Sequence, residues 1–239
     1  FKVMVMKNRE KILIISLTLL ASFTCAAETV TKGMKKVIDD ALDFSVKQSM
    51  SMFYEMKDQK GILPRTAENG KMITCESAWW TSGFYPGTLW YCYEYSNDPQ
   101  IRAAAEEMTS RVEKQKYTTS NHDVGFIINC SFGNGYRLTH NETYRKVIET
   151  AAKSLSTRFH PVTGCTRSWN SKKWQFSVII DNMMNLELLN VASSLTGDNT
   201  YYNMAKSHAD RTMINHFRPD GSSYHVVSYD TITGKVLNQ

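Results

Sequence analysis

Along most of the chain, apolar and polar positions alternate with a helical period. Across residues 34–56 apolar side chains recur at Val37, Ile38, Ala41, Leu42, Phe44, Val46, Met50 and Phe53. This spacing predicts an amphipathic helix that stops before the turn-like Gly61-Ile62-Leu63-Pro64. Residues 77–95 are aromatic and apolar nearly all round, as in a buried helix, with Gly83, Pro86 and Gly87 marking its true start and its inner end near Trp80. Residues 124–138 and 176–195 are also largely apolar and predict two more inner helices shielded by an outer layer. One segment departs from this period. Residues 222–229, bounded by Pro219-Asp220-Gly221 and Thr233-Gly234, read as extended and predict a hairpin or ordered loop.

Three segments resemble one another: Asn97-Asp98-Pro99-Gln100-Ile101, His140-Asn141-Glu142-Thr143-Tyr144 and Gly197-Asp198-Asn199-Thr200-Tyr201. Each offers Asp or Asn as a helix N-cap and leads into an alanine-containing helix. Their unequal separations suit successive helical hairpins with variable inserts better than a strict solenoid, whose period would hold. Hairpins arranged in a ring satisfy the pattern.

Two carboxylates stand out against this background: Asp123 in Asn121-His122-Asp123-Val124-Gly125-Phe126, and Asp181 in Val178-Ile179-Ile180-Asp181-Asn182. Each lies against apolar neighbours at or near the start of a predicted inner helix, where an unpaired charge is costly. The pair suggests acid and base chemistry, although N-capping explains most Asp at helix starts. Tryptophans 79, 80, 90, 169 and 174 offer flat surfaces for stacking on sugars or filling a core, and Trp79 and Trp90 suit packing. Taken singly, His122 and His225 are polar residues that a core can satisfy by hydrogen bonding. The combination points to a carbohydrate-active enzyme. The same hairpins would also suit a non-catalytic helical-repeat binding scaffold whose aspartates are structural.

Composition narrows these readings. With 239 residues and 42% hydrophobic content the chain can bury one sizeable core, so a single globular domain is expected. Met6-Lys7-Asn8-Arg9-Glu10-Lys11 is a basic start, followed by the apolar run 12–20 and small residues up to Cys25-Ala26-Ala27. Residues 1–27 therefore read as upstream sequence and a secretory signal, and residues 28–239 as the exported, periplasmic domain. Cleavage after Ala26 or Ala27 would free a soluble protein, whereas cleavage before Cys25 would leave a cysteine for lipid attachment. The net charge of +5 is mostly that leader, which holds Lys2, Lys7, Arg9 and Lys11 against Glu10. It argues for neither nucleic acid nor a membrane surface, and the leader run is too short to be a permanent membrane span. Cys75, Cys92, Cys130 and Cys165 show no Cys-x-x-Cys and no histidine at ligand spacing, so no metal, no cofactor and no disulfide are expected.

Four motifs together resemble the unsaturated glucuronyl hydrolases of glycoside hydrolase family 88. They are Trp80-Thr81-Ser82-Gly83-Phe84, His122-Asp123-Val124-Gly125-Phe126, Ile179-Ile180-Asp181 with Asn185-Leu186, and Ser222-Ser223-Tyr224-His225, in the family's order. The resemblance implies an all-α fold, an (α/α)6 barrel of six helical hairpins, of which this chain holds only the N-terminal part and leaves the C-terminal side of the ring incomplete. It implies removal of a 4,5-unsaturated uronic acid from the non-reducing end of lyase-generated, glycosaminoglycan-type oligosaccharides by hydration of the double bond. Asp181 would protonate C4 and activate water. Asp123 would hold ring hydroxyls while its charge keeps Asp181 protonated, and His122, Trp80, Trp169 and His225 would line the sugar pocket. The related unsaturated rhamnogalacturonyl hydrolases are the second enzyme reading. An incomplete ring is expected to leave Phe126, Ile127, Leu186 and Leu189 short of neighbours, and the 239-residue form to be unstable and inactive alone.

Overall fold

The computed structural model describes residues 31–239, so the leader predicted over residues 1–27 lies outside the described residues. The described residues divide into two units, 31–43 and Phe44–Gln239. Of the first unit, the described part is almost wholly the start of helix α1 (Lys32–Met56), laced by the pairs Lys35–Asp39 and Lys36–Asp40.

The second unit is built from helical hairpins. Helix α2 (Phe84–Ser96) returns as α3 (Pro99–Ser110), after a 3-10 turn at Trp80–Gly83. Helix α4 (Val124–Ile128) runs through a π turn at Asn129–Gly133 into α5 (Asn134–Thr139) and returns as α6 (Glu142–Ser156). Helix α7 (Asn182–Thr196) returns as α8 (Asn199–Asn215). The weak repeat in the sequence is the corner of these hairpins. Asn97, His140 and Gly197 adopt left-handed backbone at φ 54°, 52° and 75°. In the next residue Asp98, Asn141 or Asp198 accepts the N–H two positions on, from Gln100, Thr143 or Thr200.

The helices α2, α4–α5 and α7 lie side by side and parallel. Gly83 faces the Ile127 backbone, Gly87 faces the Cys130 carbonyl, and further along Glu94 pairs with Arg137 at 2.6 Å, so sequence numbers rise together on both helices. Gly125 lies against Asn185, and Asn129 Nδ2 donates to Glu187 at 3.1 Å, which gives the same sense for α4 and α7. A Cβ at Gly83 or Gly125 would collide with that neighbour, so the close approach depends on glycine at both crossings. Between these helices and the returning α3, α6 and α8 lies the core, with one cluster around Ile128, Ile148 and Leu189 and a second around Trp90 and Met108. Phe126, Ile127, Leu186 and Leu189 are all buried, contrary to the expectation that they would lack neighbours. Adjacent parallel helices and the return helix α6 already cover them. The exposed apolar positions on these helices are instead Tyr91, Met183 and Met184.

Extended structure exceeds expectation. Gly61-Ile62-Leu63-Pro64, read as a stop, opens strand β1 (Ile62–Glu68), which pairs antiparallel with β2 (Lys71–Glu76). The two-residue turn Asn69-Gly70, with φ 50° and 74°, is a hairpin signal that the helical period does not register. Strands β3 (Phe159–His160) and β4 (Cys165–Thr166) form a small hairpin. Strand β5 (Ser177–Ile179) pairs with β6 (Val226–Tyr229), and β6 with β7 (Val236–Asn238). The helix expected over residues 176–195 therefore begins only at Asn182, because the β-branched run before Asp181 is covered on its edge by β6. The four described cysteines are free thiols. No described helix is long and apolar enough to cross a membrane.

Candidate active site

Both aspartates occupy helix N-cap positions, and neither carboxylate caps. Asp123 (φ −63°, ψ −17°) and Asp181 (φ −70°, ψ −11°) already have helical backbone and make no side-chain cap bond. Asp98, Asn141 and Asp198, by contrast, sit at ψ 122°, 113° and 102° and cap their helices. The structural explanation for Asp123 and Asp181 thus fails at the two positions where chemistry was expected. Because α4 and α7 are parallel and meet at Gly125 and Asn185, the two carboxylates share one end of the helix pair and interact electrostatically. Asp181 Oδ1 is buried without a hydrogen-bond partner, a state that a protein tolerates where a ligand, a water or a proton completes the group.

Burial, followed by the charge of Asp181, pushes Asp123 up to about 6, against the opposing Arg158 guanidinium. Asp181 is raised by burial as well, while His225 favours its ionised form. The expected direction of influence is therefore reversed in weight: the larger upward shift falls on Asp123, not on Asp181. Burial is the larger cause at both positions, so Asp123 keeps its proton above the ordinary carboxylate range and Asp181 is shifted in the same direction.

His122 connects this pair to the aromatic side of the site. It is buried, its backbone N–H donates to Ser168 O at 3.0 Å, and Nε2 stands 3.4 Å from Asp123 Oδ1. Burial pushes His122 down to about 4, so near neutral pH this contact joins a neutral imidazole to a carboxyl and is not an ion pair. The His122 ring packs on Phe126 with centroids 6.2 Å apart, and Trp80 lies 6.4 Å from Phe126 and 5.9 Å from Phe84. These rings form a continuous aromatic shelf. Trp80 is 45% exposed at its outer end and so is free to stack. Trp169 is partly buried and held beside the site by a strand bridge to Asn121. His225 is exposed, and its carbonyl accepts the Ile180 N–H at 2.9 Å, which fixes it next to Asp181.

Two tryptophans divide differently from expectation. Trp90 packs in the core with Nε1 donating to Thr109 at 2.9 Å, whereas Trp79 is exposed beneath the Arg65 guanidinium, 4.1 Å from its ring centroid. Sequence reasoning missed Arg158. Its buried guanidinium donates to Thr119 O at 2.6 Å and to Arg167 O at 2.8 Å, tying together the loops that carry His122 and Trp169. No motif marks it, because its partners are backbone carbonyls brought in by the fold. Asn185 stands in the sequence only as part of a motif, yet it touches both His122 and the α4 backbone.

Two hollows lie beside this site. One of about 780 Å³ runs along Tyr91, Arg137 and Glu187, and another of about 990 Å³ lies between Glu55, Arg65 and Phe84. Phe84, next to Trp80, borders both. Among the described residues no group of three or more His, Cys, Asp or Glu is placed to hold a metal ion.

Parallel helices in hairpins, with two carboxylates at their amino ends that cap nothing, are the arrangement of part of an α/α barrel. No protein-family model matches the chain. An unsaturated glucuronyl hydrolase of Formosa agariphila is 48% identical over 160 residues, which cover 66% of this chain and 40% of that protein. An unsaturated chondroitin disaccharide hydrolase of Streptococcus pyogenes is 33% identical over 204 residues, covering 82% of this chain and 50% of that protein. Among solved structures, an unsaturated glucuronyl hydrolase specific for heparin superposes with a TM-score of 0.78 at 43% identity, over 84% of this chain and 55% of that one. The chain is similar to unsaturated glucuronyl hydrolases in sequence and in fold, and spans about half the length of the curated relatives it matches.

Proposed function

We propose that the protein to which this chain belongs removes 4,5-unsaturated uronic acid from the non-reducing end of lyase-generated, glycosaminoglycan-type oligosaccharides. The single observation that carries the reading is the Asp123–Asp181 pair, two carboxylates at helix starts that cap nothing and are both raised by burial. In this reading Asp181 delivers its proton to C4 of the unsaturated ring, and water activated by the resulting carboxylate adds its oxygen at C5. The C5 hemiketal opens by breaking its bond to the ring oxygen. The hemiacetal left at C1 then releases the next sugar. Asp123 holds ring hydroxyls with the neutral His122 packed behind it, Trp80 and Trp169 bound the ring faces, and His225 steers the ionisation of Asp181. Acid–base addition to the double bond requires no glycosyl-enzyme intermediate, so the carboxylate separation does not predict retention or inversion here. The leader over residues 1–27 supports export to the periplasm, which would place the enzyme where lyase products arise.

The test uses the whole protein with an unsaturated disaccharide, following loss of the conjugated absorbance of the double bond. Asp181→Asn should lower kcat by at least about a thousandfold while leaving the fold and substrate binding intact, because the amide keeps the shape but has no proton of suitable acidity to give. Turnover in deuterium oxide should place one deuterium at C4 in the first-formed product. Near-normal kcat in the Asn variant would remove Asp181 from the role of acid.

A further inference from the structure

We infer that Asn185 is a positioning residue that sets the tautomer of His122, so that His122 presents Nε2–H to Asp123. The inference rests on the proposed reaction for its kinetic consequence, though not for its structural content. Three contacts in series carry it. The Phe126 N–H donates to Asn185 Oδ1 at 2.9 Å, which fixes the orientation of the side-chain amide, since the reverse orientation would set NH₂ against N–H. Asn185 Nδ2 must therefore donate to its other neighbour, His122 Nδ1, at 3.3 Å. A ring nitrogen that accepts a hydrogen bond carries no proton, so the proton of the neutral ring resides on Nε2. Nε2 is the atom that faces Asp123 Oδ1 at 3.4 Å, a contact still longer than a formed hydrogen bond and able to tighten when a ligand orders the carboxylate.

The surroundings leave little slack in this arrangement. Asn185 and His122 are both buried, and a Cβ added at Gly125 would collide with Asn185, so no side chain fits between α4 and α7 there. The chain of donors thus starts on the backbone of α4, crosses to α7 through Asn185, and returns to the start of α4 through His122. Its effect is to keep the ring neutral with its proton on the nitrogen that faces Asp123, in surroundings where Asn182 is a further hydrogen-bond neighbour of the ring. Asn185 touches no reacting atom and acts only through His122.

The experiment measures the His122 tautomer in the whole protein by the ¹³C and ¹⁵N shifts of labelled histidine, assigned by loss of the signals in His122→Gln. Wild type should show the Nε2–H form. Asn185→Asp keeps an oxygen for the Phe126 N–H but replaces the donor by a second acceptor, so His122 should move to the Nδ1–H form or become doubly protonated. kcat/KM should fall roughly 10- to 100-fold, with most of the change in KM if Asp123 holds ring hydroxyls. A wild-type ring in the Nδ1–H form overturns the inference, and that measurement suffices even if the variant folds poorly. An unchanged tautomer and an unchanged kcat/KM in a folded Asn185→Asp protein overturn it as well. Failure of the proposed reaction would show separately, as absence of turnover in a wild-type protein whose His122 is still in the Nε2–H form.

Discussion

At the scale of single residues, the same amino acid does two different jobs in this chain, and backbone geometry tells them apart. Asp98 and Asp198 have extended backbone and cap, while Asp123 and Asp181 have helical backbone and leave their carboxylates for other use. That use has a cost. Asp123 rises from its ordinary value to about 6, so its ionised form disfavours folding, and its stability contribution is fully present below the unfolded value and lost as pH rises through about 6. His122 works in the opposite sense over an overlapping range: its folded value is depressed to about 4, so the stability it contributes is present above the unfolded value and lost as pH falls through about 4. The two pH dependences nearly offset each other in the wild type. Asp123→Asn should uncover the difference, gaining on the order of 2 kcal/mol against urea at pH 7 while the gain vanishes below about pH 4. Equal stability of the variant and the wild type at both pH values would mean that Asp123 is not held in a desolvated state.

At the scale of elements, each hairpin corner combines a left-handed C-cap residue with an Asx N-cap, a device made entirely of near neighbours in the chain. Asp98→Ala and Asn141→Ala should each destabilise the fold by about 1 kcal/mol, as loss of an N-cap does. Denaturant titration checks this. Asp181→Asn should cost almost nothing by the same measure, and a loss comparable to the cap variants would mean that its carboxylate supports α7 after all. The β5 segment illustrates the opposite dependence. Ser177, Val178 and Ile179 are extended because β6, from the far end of the chain, supplies their hydrogen bonds.

At the scale of the second unit, the parallel run of α2, α4 and α7 turns their amino ends toward the same side, where Trp80, Asp123 and Asp181 lie. Helix amino ends carry partial positive charge and favour anions, and this partly counters the burial that raises the two carboxylates. The same field suits a substrate whose defining group is a carboxylate. Esterifying the uronate of an unsaturated disaccharide should therefore raise KM roughly 3- to 30-fold, taking about 0.3–1 kcal/mol from each of two helix ends. The effect is read by comparing initial rates for acid and ester at fixed ionic strength. An ester that matches the acid in KM would show that the charge of the substrate is not recognised at this end.

What the sequence by itself determined was whatever depends on near neighbours in the chain. The 3.6-residue period of α1, the three Asx corners and the apolar character of α4 and α7 are local and legible directly, and the four motifs located both aspartates and the aromatic residues around them. The Asn69-Gly70 turn is equally local, but the strands on either side of it are short and half-exposed, so no clean two-residue alternation announces them. Only the tertiary structure decided the rest. Strand β5 needed β6, the burial of Phe126 and Leu186 needed adjacent helices, and Arg158 needed carbonyls from two separate loops. Above all, the raised proton affinity of Asp123 and Asp181, and the Asn185 amide behind His122, arise where α4 and α7 pack side by side. Desolvation and charge repulsion depend on distance in space, which separation along the chain does not specify.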